Sequence, residues 1–233
     1  MSAWWEAIST ALVEAVYPEL CTLCGTHLGL MPSGEIVPGL RPWDRPHCCR
    51  SCFVELRSGG VIRTRRGAYD VLAGSATNAD LVQLVSSWKY HGIRGLTWPL
   101  ADLLQPVLPA LADQVLFVPV PLHASRRRER GFNQAGLLAD MLAERSGHPI
   151  EHGVLRRVRA TPQQAKLDGR EEDIRRLNVA DSFVACPAPP IGKPVVLVDD
   201  LVTSGATMLE AARTLESAGW QVDALMAVGV SSS

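Results

Sequence analysis

The chain has 233 residues, of which 47% are hydrophobic and 20% are charged, and its formal net charge is −1. These values exclude wholesale disorder and are typical of one α/β domain with a small appendage. The longest apolar runs are short and are interrupted by prolines or acids, so the sequence predicts neither a secretory signal nor membrane insertion. We therefore expect a cytoplasmic protein whose cysteines are reduced thiols or metal ligands.

The first unit, residues 1–56, is predicted to contain a helix followed by a proline-rich segment with paired cysteines. Two C-x-x-C pairs stand 24 residues apart, and their members are Cys21, Cys24, Cys49 and Cys52. Thiolates paired on two tight turns are typical of a closed tetrahedral Zn²⁺ site, so we expect structural zinc here. A redox C-x-x-C is the alternative, but it needs a low-pKa thiol at a helix start beside a βαβ unit. Cys48 could replace one ligand or be a bystander.

Residues 57–68 are rich in glycine and arginine and are predicted to be a linker. Residues 69–233 alternate short apolar runs with longer amphipathic segments. The predicted strands are residues 68–76, 115–120, 179–184, 194–198 and 221–230, and the predicted helices are 79–88, 96–111, 133–145 and 206–218. This alternation favours an α/β fold in which helices cover both faces of a parallel sheet.

The strongest chemical motif spans residues 195–207. Four apolar residues predict a buried strand, which ends in the acids Asp199 and Asp200, and a hydroxyl-rich turn then leads into a helix. The turn residues can surround a phosphate at the helix N-terminus; they are Thr203, Ser204, Gly205, Ala206 and Thr207. Since carboxylates repel phosphate, the two acids are better explained as acceptors for sugar hydroxyls, or as partners of a cation or metal. Ligands of open α/β sheets bind beyond such strand ends.

Other interpretations of this motif are less favoured. The segment is neither a G-x-x-x-x-G-K-[ST] phosphate loop nor a G-x-G-x-x-G dinucleotide fingerprint. It could be a plain strand end with a helix cap, in which Thr203 or Ser204 supplies the capping oxygen. Capping, however, does not call for two successive acids at the end of a buried strand.

Basic residues are concentrated between residues 123 and 178, which hold 12 Lys and Arg against 8 Asp and Glu. This excess suits a polyanionic ligand, although a solvated arginine-rich face is an equally good explanation of the charge alone. Arg126, Arg127 and Arg130 follow the predicted strand 115–120 and can donate charge-assisted hydrogen bonds to phosphate oxygens. Residues 157–178 are polar and lack apolar periodicity, which is typical of a lid or binding loop.

Residues 195–207 resemble the phosphoribosyl pyrophosphate signature of type I phosphoribosyltransferases. Residues 88–92 (WKYHG), 119–135 (PVPLH through RGFNQA) and 161–165 (TPQQA) resemble blocks of the ComF family. With the cysteine pairs, the resemblance covers nearly the whole chain. One departure is that residues 168–174 are about three residues longer than in the family. Arg170 and Arg175 therefore both remain candidates for its hood arginine.

The resemblance implies a type I phosphoribosyltransferase fold with an N-terminal zinc-ribbon module. It also implies that Asp199 and Asp200 contact ribose hydroxyls and that residues 203–207 wrap the 5′-phosphate. Further implied contacts to phosphoribosyl pyrophosphate, which would be bound with Mg²⁺, are Lys89, Arg126, Arg127, Arg130 and Gln164. Pyrophosphate would then leave the anomeric carbon through an oxocarbenium-like state.

Three functions remain open at this point. The chain could be a phosphoribosyltransferase with an unknown acceptor. It could instead bind phosphoribosyl pyrophosphate, or the end of single-stranded DNA, without catalysis; the resemblance implies partners in DNA uptake (competence) or DNA processing. A third possibility is a zinc-stabilised structural partner with a vestigial pocket.

Overall fold

The computed structural model describes residues 20–28, 47–159, 180–188 and 192–231. Its elements in chain order are α1 (Arg50–Arg57), β1 (Ile62–Arg66), β2 (Tyr69–Ala76), α2 (Ala79–Tyr90), α3 (Thr97–Leu104), β3 (Leu116–Pro119), α4 (Ala124–Arg130), α5 (Gln134–Ser146), β4 (Leu155–Arg157), β5 (Phe183–Ala185), β6 (Val195–Val202), α6 (Ala206–Ser217) and β7 (Val222–Val230), with 3₁₀ helices at Arg94–Leu96 and Gln105–Ala110.

The central sheet has five strands in the order β1-β2-β7-β6-β3. The three pairings β2–β7, β7–β6 and β6–β3 are parallel, whereas β1 pairs antiparallel with β2 at one edge. A second, two-stranded antiparallel sheet is formed by β4 and β5. The predicted α/β fold with a mostly parallel sheet is therefore confirmed.

Two apolar clusters cover the two faces of the sheet. Successive strand residues point to opposite faces, so β6 contributes Val196 and Val198 to one cluster and Val195 and Leu197 to the other. The first cluster is completed by α1, α2, α3 and α5, and the second by α6, β4 and β5. A strand buried on both faces explains the uninterrupted apolar run of β6. The carboxyl edge of this buried strand is where the candidate site lies.

The predicted linker contains a strand. β1 runs antiparallel to β2 from the pair Ile62↔Ala73 to the pair Arg66↔Tyr69, and the turn passes through Gly67 with φ 58°. The prediction missed β1 because three of its five residues are arginines, which are common on edge strands exposed to water. The division of the chain into domains stays a prediction.

Strand β6 is also longer than predicted. It continues beyond residue 198 to Val202, because β7 is nine residues long and keeps pairing with it through Asp199↔Ala227 and Leu201↔Gly229. The two acids therefore lie within the last residues of a paired strand rather than after it. Since they are adjacent in a strand, their side chains leave opposite faces of the sheet.

One helix prediction is corrected, and one further helix is observed. Residues 96–111 form α3 followed by a 3₁₀ helix, because Pro106 lacks the N–H that an α-helix would need at that point. The arginine-rich segment after β3 is the helix α4, ended by Gly131 in the left-handed region (φ 77°). The predicted strand at 179–184 is observed as Phe183–Ala185.

Some predictions lie outside the described residues. They concern the N-terminal helix before residue 20, most of the lid at 157–178, and the residues Gln164, Arg170 and Arg175. Within the described part of the chain, the helices are too short or too polar to cross a membrane.

Candidate functional site

Asp200 forms an ion pair with Lys89 at the carboxyl end of β6. The Lys89 Nζ lies 2.7 Å from the Asp200 Oδ1, and their side chains are only 19% and 12% exposed. The same oxygen accepts a hydrogen bond from the Leu201 N–H at 2.6 Å. Lys89 stands in the last turn of α2, which covers the face to which Asp200 points. Both residues were predicted as separate ligand contacts, and the structure brings them together as a pair.

Asp199 points to the opposite face and is held differently. Burial, and next the negative charge of Asp200, raises the pKa of the Asp199 carboxyl to about 7, although Lys89 and Arg157 act in the opposite direction. The Asp200 N–H donates to the Asp199 Oδ1 at 2.9 Å. Asp199 therefore changes its charge near neutral pH, where it is able to exchange a proton when a cation or a hydroxyl approaches.

The turn after β6 leaves backbone donors available. Gly205 has φ 78° and is the N-cap of α6 without any side-chain capping bond. The Ser204 Oγ contacts the Ala206 N–H only at 3.5 Å. No acceptor within the described ranges takes the N–H of Ser204 or of Gly205. Gly205, rather than Thr203 or Ser204, is thus the N-cap residue, and the turn can offer N–H groups to an anion at the positive end of α6.

Basic side chains surround the acids on both faces. Arg130 stacks on the Tyr90 ring, with its Cζ 5.1 Å from the centroid, and donates to the Gln134 Oε1 at 3.4 Å. This places Arg130 beside the end of α2. Arg127, in contrast, is exposed on α4, and within the described residues its side chain does not contact the acids.

Arg157, the first residue of the segment predicted as a lid or binding loop, lies on β4 and was not singled out as a ligand contact. Burial of Arg157, and then the charge of Arg126, lowers the pKa of the Arg157 guanidinium, whereas Asp199 raises it. Arg157 is therefore close enough to both Arg126 and Asp199 to interact with them electrostatically. Beyond that prediction, no local pattern indicated Arg157 in particular, because β4 is three residues long and pairs with β5 across 25 intervening residues.

The four predicted metal ligands cluster together. The Sγ atoms of Cys21, Cys24, Cys49 and Cys52 all lie within 4.8 Å of one another, and Cys24 and Cys49 are 3.7 Å apart. Four sulfurs at about 2.3 Å from a central Zn²⁺ would be about 3.8 Å apart, so the donor set and its spacing fit a tetrahedral zinc ion. Four close cysteines that could hold a metal such as zinc are therefore present.

Local hydrogen bonds favour the thiolate form of Cys24 and Cys21, whereas burial, and then hydrogen bonds with neighbouring cysteines, raises the pKa of the Cys52 thiol. Hydrogen bonds from Thr26, first of its side chain and then of its backbone, lower the pKa of the Cys24 thiol to about 6. Burial raises the pKa of the Cys21 thiol, but hydrogen bonds from backbone N–H groups outweigh this effect, so the pKa is lowered overall. One of these donors is the Cys49 N–H, whose nitrogen lies 3.3 Å from the Cys21 Sγ. Cys48 is outside the cluster: it packs in the core, and burial raises the pKa of its thiol to about 12.

A mostly parallel α/β sheet with paired acids at the end of a central strand, together with a four-cysteine module, defines a class. It is the type I phosphoribosyltransferase-like fold with an N-terminal zinc-ribbon module. No family model matches the chain. A solved structure, TT1426 from Thermus thermophilus, is 18% identical with a TM-score of 0.26 and covers 56% of this chain and 79% of its own, too weak a likeness to inform the fold.

Curated relatives are more informative. The chain is 39% identical over 204 residues to the DNA utilization protein YhgH of Salmonella typhi, covering 84% of this chain and 77% of the relative. It is 28% identical over 214 residues to the competence protein ComFC of Bacillus subtilis, covering 89% and 75%. It is 33% identical over 105 residues to competence protein F of Haemophilus influenzae, 44% of each chain. The chain therefore belongs to the ComF family.

Proposed function

We propose that this protein binds phosphoribosyl pyrophosphate, with Mg²⁺, at the carboxyl end of β6. The observation that carries the proposal is that two acids on opposite faces of one strand end lie directly before a turn with unpaired backbone N–H groups. Carboxylates accept hydrogen bonds from sugar hydroxyls, and backbone N–H groups donate to phosphate oxygens. A sugar phosphate carries both kinds of group and can therefore satisfy both parts of the site.

The charges around Asp199 favour a ligand with more than one phosphate. Lys89, Arg126 and Arg157 lie near the acids, as their electrostatic effects on one another indicate. A pyrophosphate group would be stabilised by such a basic surround. The residues suited to hold Mg²⁺ there are the ionised acids, through ribose hydroxyls or water, together with the oxygens of the ligand itself. When bound, Mg²⁺ would neutralise charge on the pyrophosphate.

The proposal extends to chemistry in one respect. If an acceptor is bound beside the ribose, the ionised Asp199 can stabilise positive charge that develops on the sugar ring as pyrophosphate departs. Asp200 is the weaker candidate for this role because Lys89 already neutralises it. The acceptor is not identified by any of these residues.

The pH dependence of binding tests the role of Asp199. Because its pKa is raised to about 7, the carboxylate form that accepts a hydroxyl or attracts Mg²⁺ is a minor form at pH 6 and the major form at pH 8. We expect the affinity for Mg²⁺–phosphoribosyl pyrophosphate to rise about tenfold from pH 6 to pH 8. Isothermal titration calorimetry at several pH values measures this.

The ligand's own phosphates also titrate near pH 6, so a matched variant is needed. In Asp199→Asn we expect only the ligand's contribution to remain, with weaker binding at every pH. The control is Asp223→Asn, an exposed acid at the amino end of β7, which should behave as wild type. Absence of any binding by the wild type between pH 6 and 8 would contradict the proposed function.

A second candidate is that the same site holds the phosphorylated end of single-stranded DNA. Two observations favour it: the relatives are named DNA utilization and competence proteins, and α4 presents an arginine-rich, exposed surface beside the site. A 5′-phosphorylated DNA end is itself a sugar phosphate, so it would use the turn after β6 in the same way. Its backbone would then follow the arginines of α4.

Salt dependence distinguishes this candidate. If three arginines contact the strand, then replacing Arg126, Arg127 and Arg130 by alanine should lower the slope of log affinity against log salt by about 2. Fluorescence anisotropy with 5′-phosphorylated and 5′-hydroxyl oligonucleotides measures this, and the phosphorylated strand should bind more tightly. A control variant replaces three exposed arginines elsewhere: Arg57, Arg63 and Arg213. Equal slopes for the two triple variants would exclude α4 as the contact surface.

A further inference from the structure

Arg66, the last residue of β1, reaches from the edge hairpin to the turn after β6. Its Nε donates to the Thr203 carbonyl at 3.3 Å, and its Nη2 donates to the Ser231 carbonyl at 2.8 Å. Ser231 follows β7, and its own N–H donates to the Val202 carbonyl at 2.9 Å. One guanidinium therefore ties together the ends of β6 and β7, although Arg66 and Thr203 are 137 residues apart in the chain.

The side-chain stem of Arg66 closes the back of the turn. A Cβ added to Gly205 would lie 3.2 Å from the Cγ of Arg66 and 3.3 Å from its Cβ, which is tighter than ordinary van der Waals contact. Glycine is thus required at position 205 for two reasons: its φ is 78°, and the Arg66 side chain lies too close for a Cβ. The neighbouring Gly67 packs in a similar way against Leu209 of α6.

Because the peptide bond is planar, this contact also fixes the direction of the N–H group on the opposite side of the turn. The Thr203 carbonyl and the Ser204 N–H belong to one trans peptide group and point in opposite directions. When Arg66 holds that carbonyl on one side, the Ser204 N–H is directed to the other. This N–H has no acceptor among the residues that the structure describes.

The remaining guanidinium nitrogen is also used within the protein. Nη1 donates to the Arg65 carbonyl at 3.0 Å and contacts the Thr64 Oγ1 at 3.5 Å. All three nitrogens of Arg66 therefore have protein acceptors. Such contacts are typical of an arginine that fixes the conformation of a loop. An arginine that binds a ligand instead keeps its guanidinium N–H groups available to that ligand.

We propose that Arg66 is a positioning residue for the 203–205 turn, holding its carbonyl outward so that its N–H groups face a sugar phosphate. The inference rests on the proposed function for the identity of the anion. Its geometry, in contrast, rests only on the contacts of Arg66. It assigns a role in the site to an edge strand that lies outside the recognisable ribose-phosphate motif.

The first test uses ribose 5-phosphate and phosphoribosyl pyrophosphate as probes. Loss of the two carbonyl contacts in Arg66→Ala should weaken binding of both probes by roughly tenfold or more. Arg66→Lys should be nearly as weak, because one ammonium cannot bridge the Thr203 and Ser231 carbonyls. Arg65→Ala is the matched control: Arg65 is adjacent, exposed and paired with Asp70, and its loss should leave binding unchanged.

Salt dependence distinguishes positioning from direct contact. If Arg66 acts on the turn, the slope of log affinity against log salt should be the same in Arg66→Ala and wild type, whereas the affinity falls at every salt concentration. Nearly full affinity in Arg66→Lys combined with a smaller slope in Arg66→Ala would show a direct charge contact, and would overturn the proposal.

A ligand-free measurement separates this inference from the proposed function. Hydrogen exchange should become roughly tenfold faster in Arg66→Ala at the amides of Leu209 and Ser231, which bond to Gly205 and Val202, and should be unchanged in α5. Unchanged exchange at both amides would overturn the proposal. If the wild type binds neither probe but the variant shows this local loosening, the proposed function fails and the positioning of the turn stands.

Discussion

Replacing both acids, as Asp199→Asn with Asp200→Asn, is expected to weaken binding of Mg²⁺–phosphoribosyl pyrophosphate by at least about 100-fold. Each charge-assisted hydrogen bond to a sugar hydroxyl contributes roughly 1.5–3 kcal/mol, and two such losses amount to two or more orders of magnitude. The change also removes the negative charge that would face Mg²⁺. Isothermal titration calorimetry at pH 8, where Asp199 is mostly ionised in the wild type, measures the loss.

Folding must be checked separately for this variant. Asp200→Asn leaves Lys89, which is 19% exposed, without its ionic partner and should lower the free energy of unfolding by on the order of 1–3 kcal/mol. Asp199→Asn has the opposite tendency, because it removes a carboxylate that is costly to bury. The matched control is the double variant Asp70→Asn with Asp223→Asn, two exposed acids at the amino ends of β2 and β7.

The same variant decides between an enzyme and a binding module. Pyrophosphate release from phosphoribosyl pyrophosphate, accelerated by one member of a set of nucleophilic acceptors and lost in the double variant, would support transfer. Tight binding by the wild type without acceptor-dependent release would support a module that binds only. Unchanged affinity in the folded double variant would contradict a role for the acids in ribose recognition.

Removal of metal from the cysteine cluster is expected to have the second large effect. We propose that the bound metal is Zn²⁺, and binding of a structural zinc contributes directly to folding free energy. In Cys24→Ser we expect the zinc content to fall to below about one tenth of an equivalent. Because each kcal/mol corresponds to roughly 2–4 °C in a chain of this size, a fall in Tm of about 10 °C or more is expected.

Contacts between the cysteine module and the rest of the chain explain why loss of the metal should lower the stability of the whole chain. The Gln83 side chain on α2 donates to the Thr22 carbonyl in the first knuckle at 2.7 Å. The Ser75 hydroxyl on β2 donates to the Leu56 carbonyl of α1 at 3.1 Å, and Leu56 is only 2% exposed. The cluster is therefore attached both to the sheet and to the helix that carries Lys89.

Cys186→Ser serves as the control for the cysteine variant, because Cys186 is an exposed thiol far from the cluster in the chain. It should retain zinc and Tm. Metal analysis by mass spectrometry and thiol titration measure the outcome. A wild-type protein that contains no zinc and in which the four cluster thiols react at once would contradict the assignment of a metal site.

Local patterns in the sequence determined the class of fold and two groups of candidate site residues. The apolar run at 195–198 predicted a strand buried on both faces, because such a run has no polar face to turn toward water. The spacing of two C-x-x-C pairs predicted that four thiols meet, since each pair sits on one tight turn. These inferences succeed because the signal lies within a few neighbouring residues.

Tertiary structure alone decided which charges meet. Lys89 pairs with Asp200 across 111 residues, and Arg66 reaches Thr203 across 137. Neither pairing leaves a periodic or compositional trace, because any acid or carbonyl could accept these donors and only the packing of α2 and β1 on the sheet selects one. Strand β1 was missed for the same reason: its hydrogen bonds come from β2, whereas its own exposed arginines carry no hydrophobic alternation strong enough to predict a strand.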